Sequence, residues 1–246
     1  MKARITPILF LLIFLGLSKL TFAEDKFDWN GFYGSFSIGR SWSHITENPT
    51  QITYETFDYG NQFESRSADE FNAWDKGLRL GFNKQFDKFL VGMELSGNWE
   101  NASNKITPPF SYDVGPPSIE THIKSFQTIT ARTGYIFNEN TLIFGTGGLA
   151  ISHIKRMLDD FDGWFGKAYK NKTLIGYEVG FGAEQKLGQH WSLRADYEYV
   201  NFGKNKFNYT TCYEDDPGTC PGDPLYVNQS NSIHFSNLSA GVSYAF

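Results

Sequence analysis

Cysteine is scarce in this chain, with two among 246 residues, Cys212 and Cys220. Two thiols make no cluster or disulfide framework, and no histidine stands at ligand spacing around them. The segment between them is rich in Asp, Pro and Gly, so an exported chain would use the pair as a disulfide stapling one loop. A metal pair is the sharper alternative. Long apolar runs are also lacking. Mean hydropathy is −0.39, which excludes a bundle of membrane helices, and the one apolar run, Ile8 to Leu17, falls short of the ~20 residues a spanning helix needs. An excess of basic residues is missing too. There are 22 Lys and Arg against 27 Asp and Glu, a net of −5, and no nucleic-acid partner is expected. What is plentiful is aromatic residues, at 17%, and glycine, at 24 residues. That composition excludes disorder and leans toward β structure in one or two domains.

Lys2 and Arg4 stand before the Ile8 to Leu17 run, and Thr21-Phe22-Ala23 follows it. This is the layout of a secretory signal peptide, residues 1–23, cleaved after Ala23. An N-terminal anchor helix is the alternative. Residues 24–246 then form the mature domain. Losing Lys2, Arg4 and Lys19 takes three from the 22 basic residues, leaving 19 against 27 acidic ones, a net of −8.

From Gly31 onward the chain falls into eight stretches of period-2 alternation, the mark of strands with two unlike faces. One face carries Phe32, Phe36, Ile38 and Trp42, then Leu78, Leu80 and Phe82, then Phe89, Val91, Met93, Leu95 and Trp99. It continues with Ile129, Ala131 and Tyr135, with Tyr177, Val179 and Phe181, with Trp191, Tyr197 and Tyr199, and with Val242, Tyr244 and Phe246. The other face is small and charged, holding Arg79, Glu94, Arg132, Glu178, Glu184, Arg194, Asp196 and Glu198. A stretch from about Thr141 to Ile154 reads as a fifth strand whose faces the glycines leave unassigned.

The connections alternate between long and short. Residues 44–75, 102–121, 155–171 and 204–231 are long and polar, while Asp87-Lys88, Asn138 to Asn140 and Leu187 to His190 are tight turns. An even strand number with this asymmetry implies an all-β fold, an eight-stranded antiparallel up-and-down transmembrane β-barrel. Strands of about 10 to 14 residues suit a tilted crossing. A soluble barrel with an apolar cavity is the rival, but eight strands enclose too little room for the tryptophans, Phe82, Phe181 and their neighbours. The small, charged face therefore turns inward and the bulky one meets lipid. Aromatics gather at both strand ends, as interface girdles do.

Several segments resemble one family. They are Phe27-Asp28-Trp29-Asn30-Gly31-Phe32-Tyr33-Gly34, Thr146-Gly147-Gly148-Leu149-Ala150, Trp191-Ser192-Leu193 leading to Asp196-Tyr197-Glu198-Tyr199 and Asn201-Phe202-Gly203, and the ending Gly241-Val242-Ser243-Tyr244-Ala245-Phe246. Together they resemble the small outer-membrane β-barrel family of Gram-negative bacteria, OmpA-like or porin-like, which includes surface antigens and haemin-binding members. The resemblance covers about residues 27–246. It implies a place in the bacterial outer membrane among its lipids, and an assembly signal at Tyr244 and Phe246 read by the barrel assembly machinery. The long loops do not match the family pattern, so no ligand specificity carries over from it; they are the surface on which haemin or a host-surface molecule would be met, and their sequences name no partner.

Three chemical readings follow. Inside a narrow lumen the three arginines must pair with the five acids, giving a polar plug or, with acids in excess, a narrow cation-preferring conduit. Four histidines, His44, His122, His153 and His234, fall where strands meet long loops. The turn at Asn138 to Asn140 brings His122 near His153, and closure of the barrel brings His44 toward His234. They are either solvated interface residues or a rim site for a metal or haemin iron. A barrel hydrolase would need Ser152, His153 and one of Asp159, Asp160 or Asp162, but neighbouring strand residues face opposite ways. No enzyme activity and no resident cofactor is expected. The expected role is structural and surface-interacting, with at most narrow permeability.

Overall fold

A computed structural model describes residues 28–47, 51–54, 57–61, 66–67, 71–106, 118–159, 167–211 and 225–246. The expected signal peptide, residues 1–23, and the expected Cys212–Cys220 disulfide lie outside the described residues. Eight long antiparallel strands form the wall: β1 (Gly31–Glu47), β2 (Phe71–Phe86), β3 (Phe89–Ile106), β4 (Ser118–Asn138), β5 (Thr141–Asp159), β6 (Ala168–Lys186), β7 (Trp191–Thr211) and β8 (Leu225–Ala245). Each pairs with the next, and β1 closes on β8 with Tyr33 opposite Ala245 and His44 opposite His234. Closure leaves no edge in the barrel body. Three short strands, Gln51–Tyr54, Phe57–Asn61 and Arg66–Ser67, decorate the β1–β2 connection, the first pairing with the start of β8.

The tight turns fall where the sequence places them, Asp87 taking a positive φ of 53° in the β2–β3 hairpin. Strand length differs from expectation. The strands run 16 to 21 residues, so much of each expected long loop is strand. Register shifts between Trp99 and Ala102, Ile123 and Phe126, and Asn201 and Lys204 explain the difference, since a bulge changes which residues face inward and hides the continuing alternation. At the last of these, Gly203 takes a φ of 63° and its N–H donates to Asn201 Oδ1 at 2.7 Å.

Near the turns the outer face is apolar, with Phe32, Leu80, Met93, Phe137 and Phe181 all exposed. Along β3 this band runs from Phe89 to Trp99, ten steps. At ~3.3 Å per residue and ~40° tilt that is about 25 Å of height, the apolar band of an outer-membrane barrel. It ends at Trp74, Trp99 and Tyr177. Beyond that level polarity reverses. Lys124, His153, Lys155, Lys204 and Lys206 face out, while Ile45, Ile123, Phe126, Ile154, Leu174, Val200, Phe202, Ile233 and Phe235 pack inside as one buried cluster. β5, unassigned from sequence, follows the same rule, with Ile143 and Leu149 exposed and Leu142, Phe144, Ala150 and Ile154 buried.

Candidate functional site: the sealed lumen and the histidine rim

The lumen is stacked in layers. At the turn end Trp29, Leu90, Ile136, Leu142 and Phe144 form a buried apolar floor. Trp29, which precedes β1, is tied down by its N–H donating to Gln85 Oε1 at 3.1 Å and by Lys186 over its ring at 4.9 Å. Just outside this floor the backbone N–H of Asn30, with its side chain, holds the exposed Asp28 carboxyl below the usual range.

Above the floor sits the ionic layer. All eight charged residues read from the sequence are there, each at most 5% exposed. Arg79 on β2 reaches Asp196 at 3.0 Å and Glu198 at 2.8 Å on β7 across the barrel, and Glu94 at 3.6 Å. Arg194 binds both oxygens of Glu94 on the opposite wall and Asp196 at 2.6 Å. Arg132 holds Glu184 at 2.5 Å and lies over the Phe144 ring at 4.0 Å. Glu178 stands apart from the arginines, accepting from Thr146 at 2.8 Å.

Sequence reasoning missed three members of this layer. Tyr33 donates to Glu94 at 2.5 Å, a reach open only because Gly81 faces the ring, where any Cβ would collide with it. Asp75 and Glu100, opposite each other across β2 and β3, are buried as well. Each follows in phase from its neighbours, Tyr33 from Ser35, Asp75 from Gly77 and Glu100 from Asn98, so carrying the alternation one step further finds all three.

The inward apolar cluster closes the lumen from the loop end. Phe126 on β4 stacks on Phe235 of the opposite strand β8 at 6.0 Å between ring centres, and Phe202 meets Phe235 edge-on at 5.6 Å. Above lies a second polar step, where Arg156 donates to Thr121 at 3.0 Å and Gln229 at 3.1 Å.

The histidines do not form one site. His44 and His234 face each other and stack with ring centres 5.0 Å apart, with Tyr199 against His234 at 5.9 Å. His122 pairs with Lys155 in the β4–β5 ladder, two positions from His153, and bonds Glu120 at 3.0 Å. The two pairs sit on opposite walls and point outward. Among the described residues no group of three or more His, Cys, Asp or Glu is arranged to hold a metal. Ser152 is buried and donates to the Ser125 carbonyl at 2.9 Å while His153 is exposed on the other face, and Asp160 and Asp162 lie outside the described residues. At the turn end Tyr244 packs edge-on against Trp191 at 4.9 Å and Phe246 at 5.5 Å, and Phe246 is exposed.

A closed antiparallel ring with a lipid-height apolar band, aromatic girdles and a polar interior is a transmembrane β-barrel of the bacterial outer membrane. The family model for the outer membrane protein beta-barrel domain matches residues 9–246, and the chain belongs to that family. It is 30% identical over 186 residues to the 31 kDa outer-membrane immunogenic protein of Brucella melitensis biotype 1, covering 73% of this chain and 74% of the relative. It is 26% identical over 128 residues to a 22 kDa outer membrane protein of Rhizobium leguminosarum bv. viciae, 52% of each. Among solved structures, the outer membrane protease OmpT of Escherichia coli aligns with a TM-score of 0.53 at 11% identity, over 92% of this chain and 99% of that one. OprG of Pseudomonas aeruginosa aligns at 0.52 and 13%, over 88% and 98%. These two share the fold alone. Outer-membrane barrels keep their short turns in the periplasm, which makes the turn end periplasmic and the long-loop end extracellular.

Proposed function

We propose that this protein is a closed barrel that serves the outer membrane structurally and acts through its extracellular surface, and that it neither passes solutes nor performs catalysis. The observation that carries this reading is the Phe126–Phe235 contact across the lumen, one of two apolar layers that enclose the ionic layer. Ions crossing it would shed water in two apolar constrictions and break buried Arg–carboxylate pairs, a cost of several kcal/mol at each step. Above the girdle the strands continue as a water-facing collar bearing Lys124, Lys155, Lys204 and Lys206, which raises the long loops off the bilayer. An immunogenic relative fits a chain whose collar and loops are displayed. Tyr244 and Phe246, at the periplasmic end of β8, serve the assembly machinery in this reading.

Planar-bilayer conductance tests it, on refolded protein shown to be folded by heat-modifiable gel mobility. No steady current is expected. Stepwise cation-selective conductance from folded barrels would overturn the closed-lumen reading.

A second reading rests on one observation, the His44–His234 stack. Two imidazoles at the interface could bind a metal or haemin iron. Spectral titration with haemin and zinc decides it. Loss of binding in His44→Ala/His234→Ala but not in His122→Ala/His153→Ala supports the pair, and equal affinity in both removes it.

A further inference from the structure

The charges in the ionic layer do not balance. Three arginines, Arg79, Arg132 and Arg194, share the ionic layer with seven carboxylates, those of Asp75, Glu94, Glu100, Glu178, Glu184, Asp196 and Glu198, all at most 5% exposed. The arginines engage Glu94, Glu184, Asp196 and Glu198. The unbalanced charge is therefore concentrated on the remaining three, and two of these face each other, Asp75 opposite Glu100. Two adjacent carboxylates under an apolar layer, with no arginine bonded to either, would be costly.

Ser41 donates to Glu100, and the Asn237 amide donates to Asp75 at 3.1 Å. Beyond those bonds, Asp75 Oδ1, Glu100 Oε1, Asn98 Oδ1 and Asn237 Oδ1 are buried with no hydrogen-bond partner. All four atoms are oxygens. They lie on neighbouring strands, since Asp75 is opposite Glu100, Asn98 is two residues before Glu100 on β3, and the Asn237 amide bonds Asp75. Gly39, beside Asp75 in the ladder, leaves open the space its carboxylate occupies, because a Cβ there would meet Asp75 Oδ1.

We propose that Asp75 and Glu100, with the oxygens of Asn98 and Asn237, form a binding site for a hard divalent cation inside the barrel. Carboxylate and amide oxygens without nitrogen or sulfur suit calcium, and its two charges match those of the pair. Two carboxylates completed by neutral oxygens distinguish this site from an all-acidic cluster. The apolar layer formed by Phe126 and Phe235 lies between it and the loops, so the ion enters as the barrel closes and leaves slowly.

The test is refolding in lipopolysaccharide-free detergent with calcium chloride, gel filtration into calcium-free buffer, and elemental analysis of the heat-modifiable fraction. Wild type is expected to retain one calcium per barrel and to unfold at a higher temperature than protein refolded in EDTA. Asp75→Asn/Glu100→Gln is expected to retain none and to be indifferent to EDTA, while Glu178→Gln, elsewhere in the lumen, keeps the ion. Folded wild type that retains no calcium and melts identically with and without EDTA would overturn the proposal. An infrared carboxylic-acid band lost in the double variant would then show that protons balance the pair. The wild-type measurement decides even if the double variant does not fold.

Discussion

Arg132 and Glu184 offer the sharpest test of how dry the lumen is. The ions are 2.5 Å apart and essentially buried, at 1% and 4% exposed. At an effective dielectric of ~20 their attraction is about 6 to 7 kcal/mol, and removing two ions from water costs several kcal/mol each. The pair therefore nets near zero against an apolar replacement, while either ion alone is expensive. Glu184→Gln leaves Arg132 without its carboxylate partner, and Arg132→Met leaves Glu184 with the Ser192 hydroxyl and the more distant charges of Arg194 and Lys186. Each single change is expected to cost about 3 to 5 kcal/mol. The double variant should cost far less than their sum, with a coupling of about 2 kcal/mol or more. Equilibrium unfolding in urea from lipid vesicles, followed by tryptophan fluorescence, measures all four species. Singles costing under about 1 kcal/mol with no coupling would refute the argument, because only a water-filled lumen would screen the pair so well.

Three further outcomes follow from the same layers. Met93→Arg, at the middle of the lipid band, should destabilise the barrel by about 2 to 4 kcal/mol in vesicles, whereas Ser103→Arg, exposed beyond the girdle, should cost almost nothing. Equal costs in the unfolding assay would misplace the band. Phe126→Ala and Phe235→Ala should each cost about 3 to 5 kcal/mol, and because the rings touch, the double variant should cost measurably less than the sum; strict additivity would deny the contact. Phe246→Ala should change the unfolding free energy of refolded protein by about 1 kcal/mol or less yet lower the folded fraction in cells, read by heat-modifiable mobility in isolated outer membranes. A parallel fall in both would make Phe246 a stability residue instead.

Which parts of this were legible beforehand follows from the periodicity of two. Within the bilayer each strand has lipid on one side and a narrow polar lumen on the other, so alternation carries the whole structure. Arg79, Glu94, Arg132, Glu178, Glu184, Arg194, Asp196 and Glu198 are found by counting, and so is the pairing of His44 with His234. Asp75 and Glu100 were lost because the strands were ended too early, at the aromatic girdle. The collar was lost because the bulges near Ala102, Ile123 and Asn201 break phase. The floor was lost because Trp29 precedes the first strand and reaches the lumen through tertiary contacts that no local pattern encodes.

The reversal of polarity along each strand explains why an apolar cluster fills the barrel at its loop end. A strand segment facing lipid stabilises the barrel through its outer surface, so its interior is left to small and charged groups. Once the same strand leaves the bilayer, its outer surface meets water and contributes nothing, and burial must come from inside. Ile45, Ile123, Phe126, Ile154, Leu174, Val200, Phe202, Ile233 and Phe235 are that interior, the core of what is in effect a small soluble barrel set on a membrane one. A core of this kind is close-packed, so a wall extending far past the bilayer and a wide central pore are competing demands on the same eight strands. This chain's strands reach 21 residues, about twice what the lipid band requires. The apolar cluster inside the barrel is thus the structural consequence of strands that run past the bilayer.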